Sequence, residues 1–265
     1  MTSGYAPVHG LKLYYELEGT GDPLVYIPPA LGHVGMRSFP ELAQRHSVIK
    51  IDVQGHGRTA DSPERPRALQ QDAEDIVGLL KYLGVPRADF FGESYGGATA
   101  LIIAIRYPEL VRRVATFGAT FGPPQVAHNP KMLRFDQPPT PDSKCFQFQR
   151  ESYENVAPDP GYWPQLWDKV GRIQWAGFSK EELASIQAPV LIALGDHDFV
   201  RVEHALEAYE QIPNAELAVI PDAGHFLVYS EPERLLPVVK HFLEKPENRP
   251  PVATAAMGYQ PGETR

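Results

Sequence analysis

Short apolar runs, each closed by glycine, proline or acidic residues, recur along the chain at spacings that leave room for one helix between them. The runs are PLVYIPP (Pro23 to Pro29), SVIKIDV (Ser47 to Val53), ADFFGE (Ala88 to Glu93), VRRVATFGA (Val111 to Ala119), PVLIALGD (Pro189 to Asp196) and AELAVIP (Ala215 to Pro221). Runs of this length, rich in β-branched and aromatic residues and without polar alternation, predict strands covered on both faces. Two further β-like runs flank His9-Gly10 and predict an antiparallel hairpin at the N-terminus.

Between the runs the period lengthens. From Ala68 to Leu83, Leu69, Ala73, Ile76, Val77, Leu80 and Leu83 follow a three-four spacing. Gln70, Gln71, Asp72, Glu74, Asp75 and Lys81 fall on the other face, and Gly84 and Pro86 end the segment. That is an amphipathic helix lying on a sheet. Weaker helical patterns run from Tyr95 to Tyr107, Val202 to Gln211 and Pro232 to Leu243. Alternating strand and helix predict an α/β class with a mostly parallel, doubly wound sheet.

The alternation breaks from residue 121 to residue 186. This stretch holds nine prolines and all three tryptophans, Trp163, Trp167 and Trp175, with no strand pattern. A plain connection takes only a few residues, so the stretch predicts a helical lid inserted above the sheet. The expected organisation is a core of residues 1–120 and 187–245, a lid of residues 121–186, and a tail of residues 246–265 with too little apolar periodicity to join the core.

Composition narrows the function classes. A net charge of -8 disfavours phosphate backbones and acidic lipid, so no nucleic-acid or membrane partner is expected. The single Cys145 excludes an intrachain disulfide and a thiolate metal site. The N-terminus lacks a basic region followed by an apolar stretch, and the longest strongly apolar run, near Ala98 to Ile105, is too short to span a bilayer; a cytoplasmic protein is the default expectation. Nothing in the sequence sets the oligomeric state.

Ser94 stands between the strand ADFF and the helix YGGATALIIAIRY, flanked by Gly92 and Gly96. Glycines at these places permit a tight strand-to-helix reversal that pushes the hydroxyl out at the carboxyl end of the sheet, where open α/β sheets bind ligands. The start of the following helix also offers free N-H groups to an anion. The same five-residue pattern arises in ordinary glycine-rich turns; the strand before and the helix after distinguish this one. A serine needs an imidazole to take its proton and an acid to orient that imidazole. Asp196 and Asp198 follow one later strand, and His225 follows the next.

These features are similar to the α/β-hydrolase superfamily, in particular its serine-nucleophile, esterase-like members, from about Gly10 to Lys245. DVQGHGRTA (Asp52 to Ala60) resembles the family's Asp-x-x-Gly-x-Gly loop, GESYGG its nucleophile elbow, PVLIALGDHD its acid-bearing strand and DAGHF its histidine loop. The resemblance implies the α/β-hydrolase fold and the triad Ser94, Asp198 and His225. Gly195 to Asp198 has the family's spacing, while Asp196 stays open as an alternative that equally suits a turn cap. His33, His56 and His197 are rival histidines, the last two expected as surface loop residues. The resemblance also implies an oxyanion hole built from the N-H groups of Tyr95 and Ala30. Pro28 and Pro29 stand where the family has a His-Gly pair, so Leu31 is the fallback donor.

Phe135, Phe146, Phe148, Tyr153, Tyr162, Trp163, Trp167, Trp175 and Phe178 divide between the lid's own small core and a substrate pocket. Leu31, Trp163, Trp167 and Phe226 are the expected pocket residues. The resemblance thus implies a carboxylic ester hydrolase for small or medium, partly apolar esters, working through an acyl-enzyme and needing no metal or organic cofactor. A lactonase, carbon-carbon bond hydrolase or perhydrolase would share the triad. An aminopeptidase would need an acid for the substrate amine, with Glu93, Glu151 and Glu154 as candidates. A ligand receptor with little turnover is the alternative from another class.

Overall fold

The structure, a computed structural model, describes residues 1–129 and 139–246. Phe135 and the expected tail beyond residue 246 lie outside the described residues. Among the described residues eight strands form one sheet: β1 (Thr2–Val8), β2 (Leu11–Glu18), β3 (Asp22–Ile27), β4 (His46–Ile51), β5 (Ala88–Glu93), β6 (Val111–Phe117), β7 (Val190–His197) and β8 (Ala215–Gly224). Their order is β1-β2-β4-β3-β5-β6-β7-β8. The first two strands form the antiparallel hairpin, β2 joins β4 antiparallel, and every later pairing is parallel. His9 and Gly10, with φ of 45° and 83°, make the mirror-image turn that matches the twist of a two-residue hairpin.

Helices accompany the sheet. Those between the strands of the core are α1 (Pro40–Ala43), α2 (Leu69–Tyr82) and α3 (Tyr95–Arg106). Between β6 and β7 lie α4 (Pro124–Ala127), α5 (Gln147–Glu154), α6 (Trp163–Gly171) and α7 (Lys180–Ala184). After β7 come α8 (Val202–Gln211), α9 (Leu227–Ser230) and α10 (Pro232–Leu243).

The pleat explains why the strands read as unbroken apolar runs. Val25, Ile27, Phe90, Val114 and Ile192 face one buried cluster with α2, α3 and α8. Their neighbours Leu24, Tyr26, Phe91, Ala115 and Leu191 face a second cluster with α10. Successive side chains point to opposite faces, and here both faces are covered.

One expectation on α2 is corrected. Asp72 and Asp75, placed by periodicity on the outer face, are buried. Arg67 pairs with Asp72 through two bonds, and Arg65 grips Asp75 at 2.6 and 2.7 Å. Both arginines come from the loop before the helix, and they replace the solvent that buried carboxylates would otherwise lose.

The segment between β6 and β7 is tied to the core at named points. His33 Nε2 bonds Ser152 Oγ of α5 at 2.8 Å, and Lys169 Nζ of α6 donates to Asp61 Oδ2 at 2.6 Å. The Tyr162 hydroxyl donates to the same Asp61 carboxylate. Tyr153, Trp163 and Leu166 form a small cluster against Leu31 of the core. Among the described residues no helix is long and apolar enough to cross a bilayer.

Candidate active site

Three carboxyl strand ends converge. Ser94 follows β5, Asp198 follows β7, and His225 follows β8. Ser94 caps α3 with φ 51° and ψ −117°, a conformation that costs a non-glycine residue roughly 1–3 kcal/mol and is kept only where its surroundings impose it. The surroundings are tight. A Cβ at Gly92 would meet the carbonyl of Gly96 at 2.3 Å, and one at Gly96 would meet the carbonyl of Ile27 at 2.2 Å. The Ser94 N-H donates to Phe117 O at 2.8 Å, fixing the bend against β6.

His225 Nδ1 bonds Asp198 Oδ1 at 2.7 Å. The same Asp198 oxygen accepts from the Val200 N-H at 3.0 Å, and the carboxylate is buried. Burial alone would lower the basicity of His225. The charge of Asp198 and its hydrogen bond, helped by Glu93, outweigh burial and hold the imidazole above its ordinary value. Phe199 stacks on the imidazole at 4.8 Å, and Phe226 meets its edge. Gly118, with φ 58°, leaves the space the pair needs: a Cβ there would lie 2.8 Å from His225 Nδ1 and 3.0 Å from Asp198 Oδ2. No hydrogen bond joins Ser94 to His225 among the described residues; catalytic bonds of this kind often tighten only around substrate.

Asp196 is exposed and accepts from the Ala223 N-H at 3.1 Å, which binds β7 to β8 rather than orienting His225. His197 is 64% exposed. His56, expected on a loop surface, is only 1% exposed, and this is a correction with a consequence. Its Nε2 accepts from the Leu31 N-H at 3.2 Å while its Nδ1 faces Gln54 O at 2.9 Å. Burial, aided by nearby Arg67, lowers its pKa to about 3, so the ring is neutral with its proton on Nδ1. Leu31 is thereby removed as the fallback oxyanion donor. Ala30 and Tyr95 line the cavity with Ser94, and no hydrogen bond engages the N-H of either among the described residues.

The cavity has a volume of about 910 Å³, and Ser94, His225, Leu31, Trp167 and Phe226 all line it. Trp163 does not, against expectation. Its indole N-H donates to Pro141 O at 3.0 Å and its ring packs on Tyr153 and Trp167, so it serves the small core of the inserted segment. Glu151 and Glu154 lie on α5 away from the cavity, whereas Glu93 lines it. Sequence reasoning missed Gly118, Phe199 and Tyr229; a glycine closing the apolar run of β6, next to the acid-bearing strand, was the available signal for the first. Among the described residues no three His, Cys, Asp or Glu side chains are grouped to hold a metal ion.

A sharp serine bend between strand and helix, a paired imidazole and acid, and this strand order define one class of protein. The chain belongs to the alpha/beta hydrolase family, whose profile matches residues 8–238. It is similar to the mouse serine hydrolase BPHL, 26% identical over 259 residues that span 92% of this chain and 87% of that protein. Among solved structures it resembles Est816, described as an N-acyl homoserine lactone degrading enzyme, with 27% identity, a TM-score of 0.69 and coverage of 88% and 98% of the two chains. The fold also matches a meta-cleavage product hydrolase from Pseudomonas fluorescens at 22% identity and a TM-score of 0.75, covering 92% of this chain and 97% of that one.

Proposed function

We propose that the protein is a serine carboxylic ester hydrolase that acts on partly apolar esters through an acyl-enzyme. The bond of 2.7 Å between His225 and Asp198, at the wall of the cavity that Ser94 also lines, carries this reading. His225 Nε2 takes the Ser94 proton as the hydroxyl oxygen attacks the ester carbonyl. The N-H groups of Ala30 and Tyr95 receive the oxyanion. The imidazolium then protonates the departing alcohol; the neutral imidazole so formed takes a proton from a water whose oxygen attacks the acyl carbon, and returns it to the Ser94 oxygen as the ester bond to the acid breaks. Asp198 holds the ring in the tautomer that exposes Nε2 and stabilises its charge. Residues 121–186 act as a lid over the core of residues 1–120 and 187–245, contributing Phe146, Trp167 and Trp175 to the wall.

Likeness to a lactone-degrading enzyme favours lactones as a second substrate class, since ring opening uses the same addition to a carbonyl. A fluorophosphonate probe and a panel of p-nitrophenyl esters and lactones test the reading. Labelling at Ser94 and turnover that falls by roughly 10⁴- to 10⁶-fold in Ser94→Ala are expected. Absence of labelling, or tight binding of a small molecule with negligible turnover, would replace the hydrolase by a receptor.

A further inference from the structure

Gln149 stands in the first turn of α5 and lines the cavity. The helix fixes the direction in which it points. Ser152 and Tyr153, three and four residues on, share its face. Ser152 Oγ bonds His33 Nε2 of the core at 2.8 Å, and Tyr153 packs in the cluster with Leu31. Gln147 and Glu151 bond each other at 2.7 Å on the exposed side. The face that carries Gln149 is therefore the one that looks inward.

The side chain is only 7% exposed. Its Oε1 is enclosed without a donor, and its Nε2 makes no hydrogen bond among the described residues. Of the two terminal atoms only Oε1 is fully enclosed, so Nε2 is the one that a molecule in the cavity can reach. An amide in this state opposes folding, because the hydrogen bonds it made to water in the unfolded chain are not replaced. Gln125 and Gln174 also line the cavity, but both are exposed and water can serve them. Around the enclosed Gln149 the inserted segment gives the cavity a largely apolar wall, with Phe146, Trp167, Val170, Ile173 and Trp175. One unpaired donor in such a wall sets where an acceptor must lie, and a ligand that brings a methylene to that point leaves the donor unpaired.

We propose that Gln149 determines substrate specificity by donating an Nε2 N-H to a second, uncharged carbonyl oxygen of the substrate, such as an amide or oxo group supplies, remote from the scissile one. A single neutral donor suits an uncharged acceptor, since a carboxylate would bring a charge that one N-H does not balance. The proposal rests on the hydrolase reading for the ester, and not for the donor.

Two series of p-nitrophenyl esters test it: straight-chain alkanoates from butanoate to decanoate, and oxoalkanoates in which one methylene of the same chain is a ketone, moved along one position at a time. A matching set of acetates with the ketone in the alcohol half covers the other side of the scissile bond. For each chain the oxo-to-alkyl ratio of kcat/KM is read in the unaltered protein and in Gln149→Leu. At the ketone positions that reach Nε2 the ratio should fall by about tenfold in the variant, as loss of one hydrogen bond to an enclosed donor requires, and elsewhere it should stay within about twofold. The change should fall on KM with kcat little altered, since the bond is as strong before the attack as during it. Gln149→Met, which keeps the length of the side chain without its donor, gives the same comparison if Gln149→Leu does not fold.

A ratio that stays within about twofold at every ketone position in both sets overturns the proposal. So does a fall shared equally by all positions, which would mean that the substitution alters the shape of the cavity and not one contact. Fluorophosphonate labelling of Ser94 and turnover of the plain alkanoates judge the hydrolase separately: labelled, active protein with unmoved ratios refutes only the donor. Should neither labelling nor turnover be seen, the hydrolase reading falls, and calorimetry with N-hexylacetamide decides the donor alone. Binding about tenfold weaker in Gln149→Leu than in the unaltered protein supports it, and equal binding overturns it.

Discussion

Asp198 shows how much chemistry depends on one side chain being turned the right way. Both it and Asp196 sit past the same strand end, two positions apart, and only Asp198 is buried against the imidazole. Its loss should act twice. Asp198→Asn should lower kcat/KM by about 10⁴-fold, because an amide can fix the wrong tautomer. It should also move the pH profile. In the proposed mechanism His225 is the base and works only when unprotonated; Asp198 holds its pKa above the ordinary value, so activity should rise with pH through a midpoint above about 6.5. Without that charge, burial dominates and the midpoint of the residual activity should move to lower pH. A profile that stays in place would remove Asp198 from the pair. Spacing favoured this residue beforehand, but Gly118 was not legible, because the room it leaves exists only once β6 and β7 are neighbours.

The loop after β3 places its peptide groups through its partners. Val34 donates its N-H to Asp52 Oδ1 at 2.7 Å and Leu31 donates to His56, so the Asp52 to Ala60 segment holds both ends of the turn that presents Ala30. The strands were legible because burial on both faces leaves long apolar runs. His56 was not, since a histidine in a glycine loop reads as exposed until a neighbouring backbone donor is known. Asp72 and Asp75 on α2 misled for a related reason: periodicity places charge outward, and it cannot register the two arginines that follow the carboxylates inward. His56→Ala should leave the Leu31 N-H and Gln54 O unpaired and cost about 1–3 kcal/mol of stability. Turnover should fall with KM little changed, because the displaced donor matters most when charge develops on the carbonyl oxygen. Denaturant unfolding and steady-state kinetics on one preparation check both; a rise in KM alone would assign the loop to substrate binding.

Across the whole molecule, the inserted segment and the core together wall the cavity at Ser94, and under the proposed function that wall would select among esters. The break in alternation revealed the segment, and its aromatic content implied a pocket, but the division of rings between cavity and small core depends on tertiary packing. Trp163 and Trp167 lie one helical turn apart, and of the two only Trp167 reaches the cavity. Asp61 is the polar joint, receiving Lys169 Nζ at 2.6 Å, the Tyr162 hydroxyl and Gln54 Nε2 at 2.8 Å. Burial would raise its pKa, but these donors prevail and the carboxyl titrates below the ordinary value of 3.8. The contribution of the joint to stability is therefore complete above that value and is lost as pH falls through the lower, folded value. Asp61→Asn removes the charge while keeping one acceptor. Amide exchange should then quicken in α5 and α6 and stay unchanged in β5 and β6, whose hydrogen bonds the joint does not touch. Under the proposed function, fluorophosphonate should still label Ser94 and discrimination among ester sizes should weaken, because an inserted segment held at one fewer point shapes the cavity less firmly. Unchanged exchange in α6 would mean that the apolar contact of Trp163, Leu166 and Leu31 suffices to seat the segment.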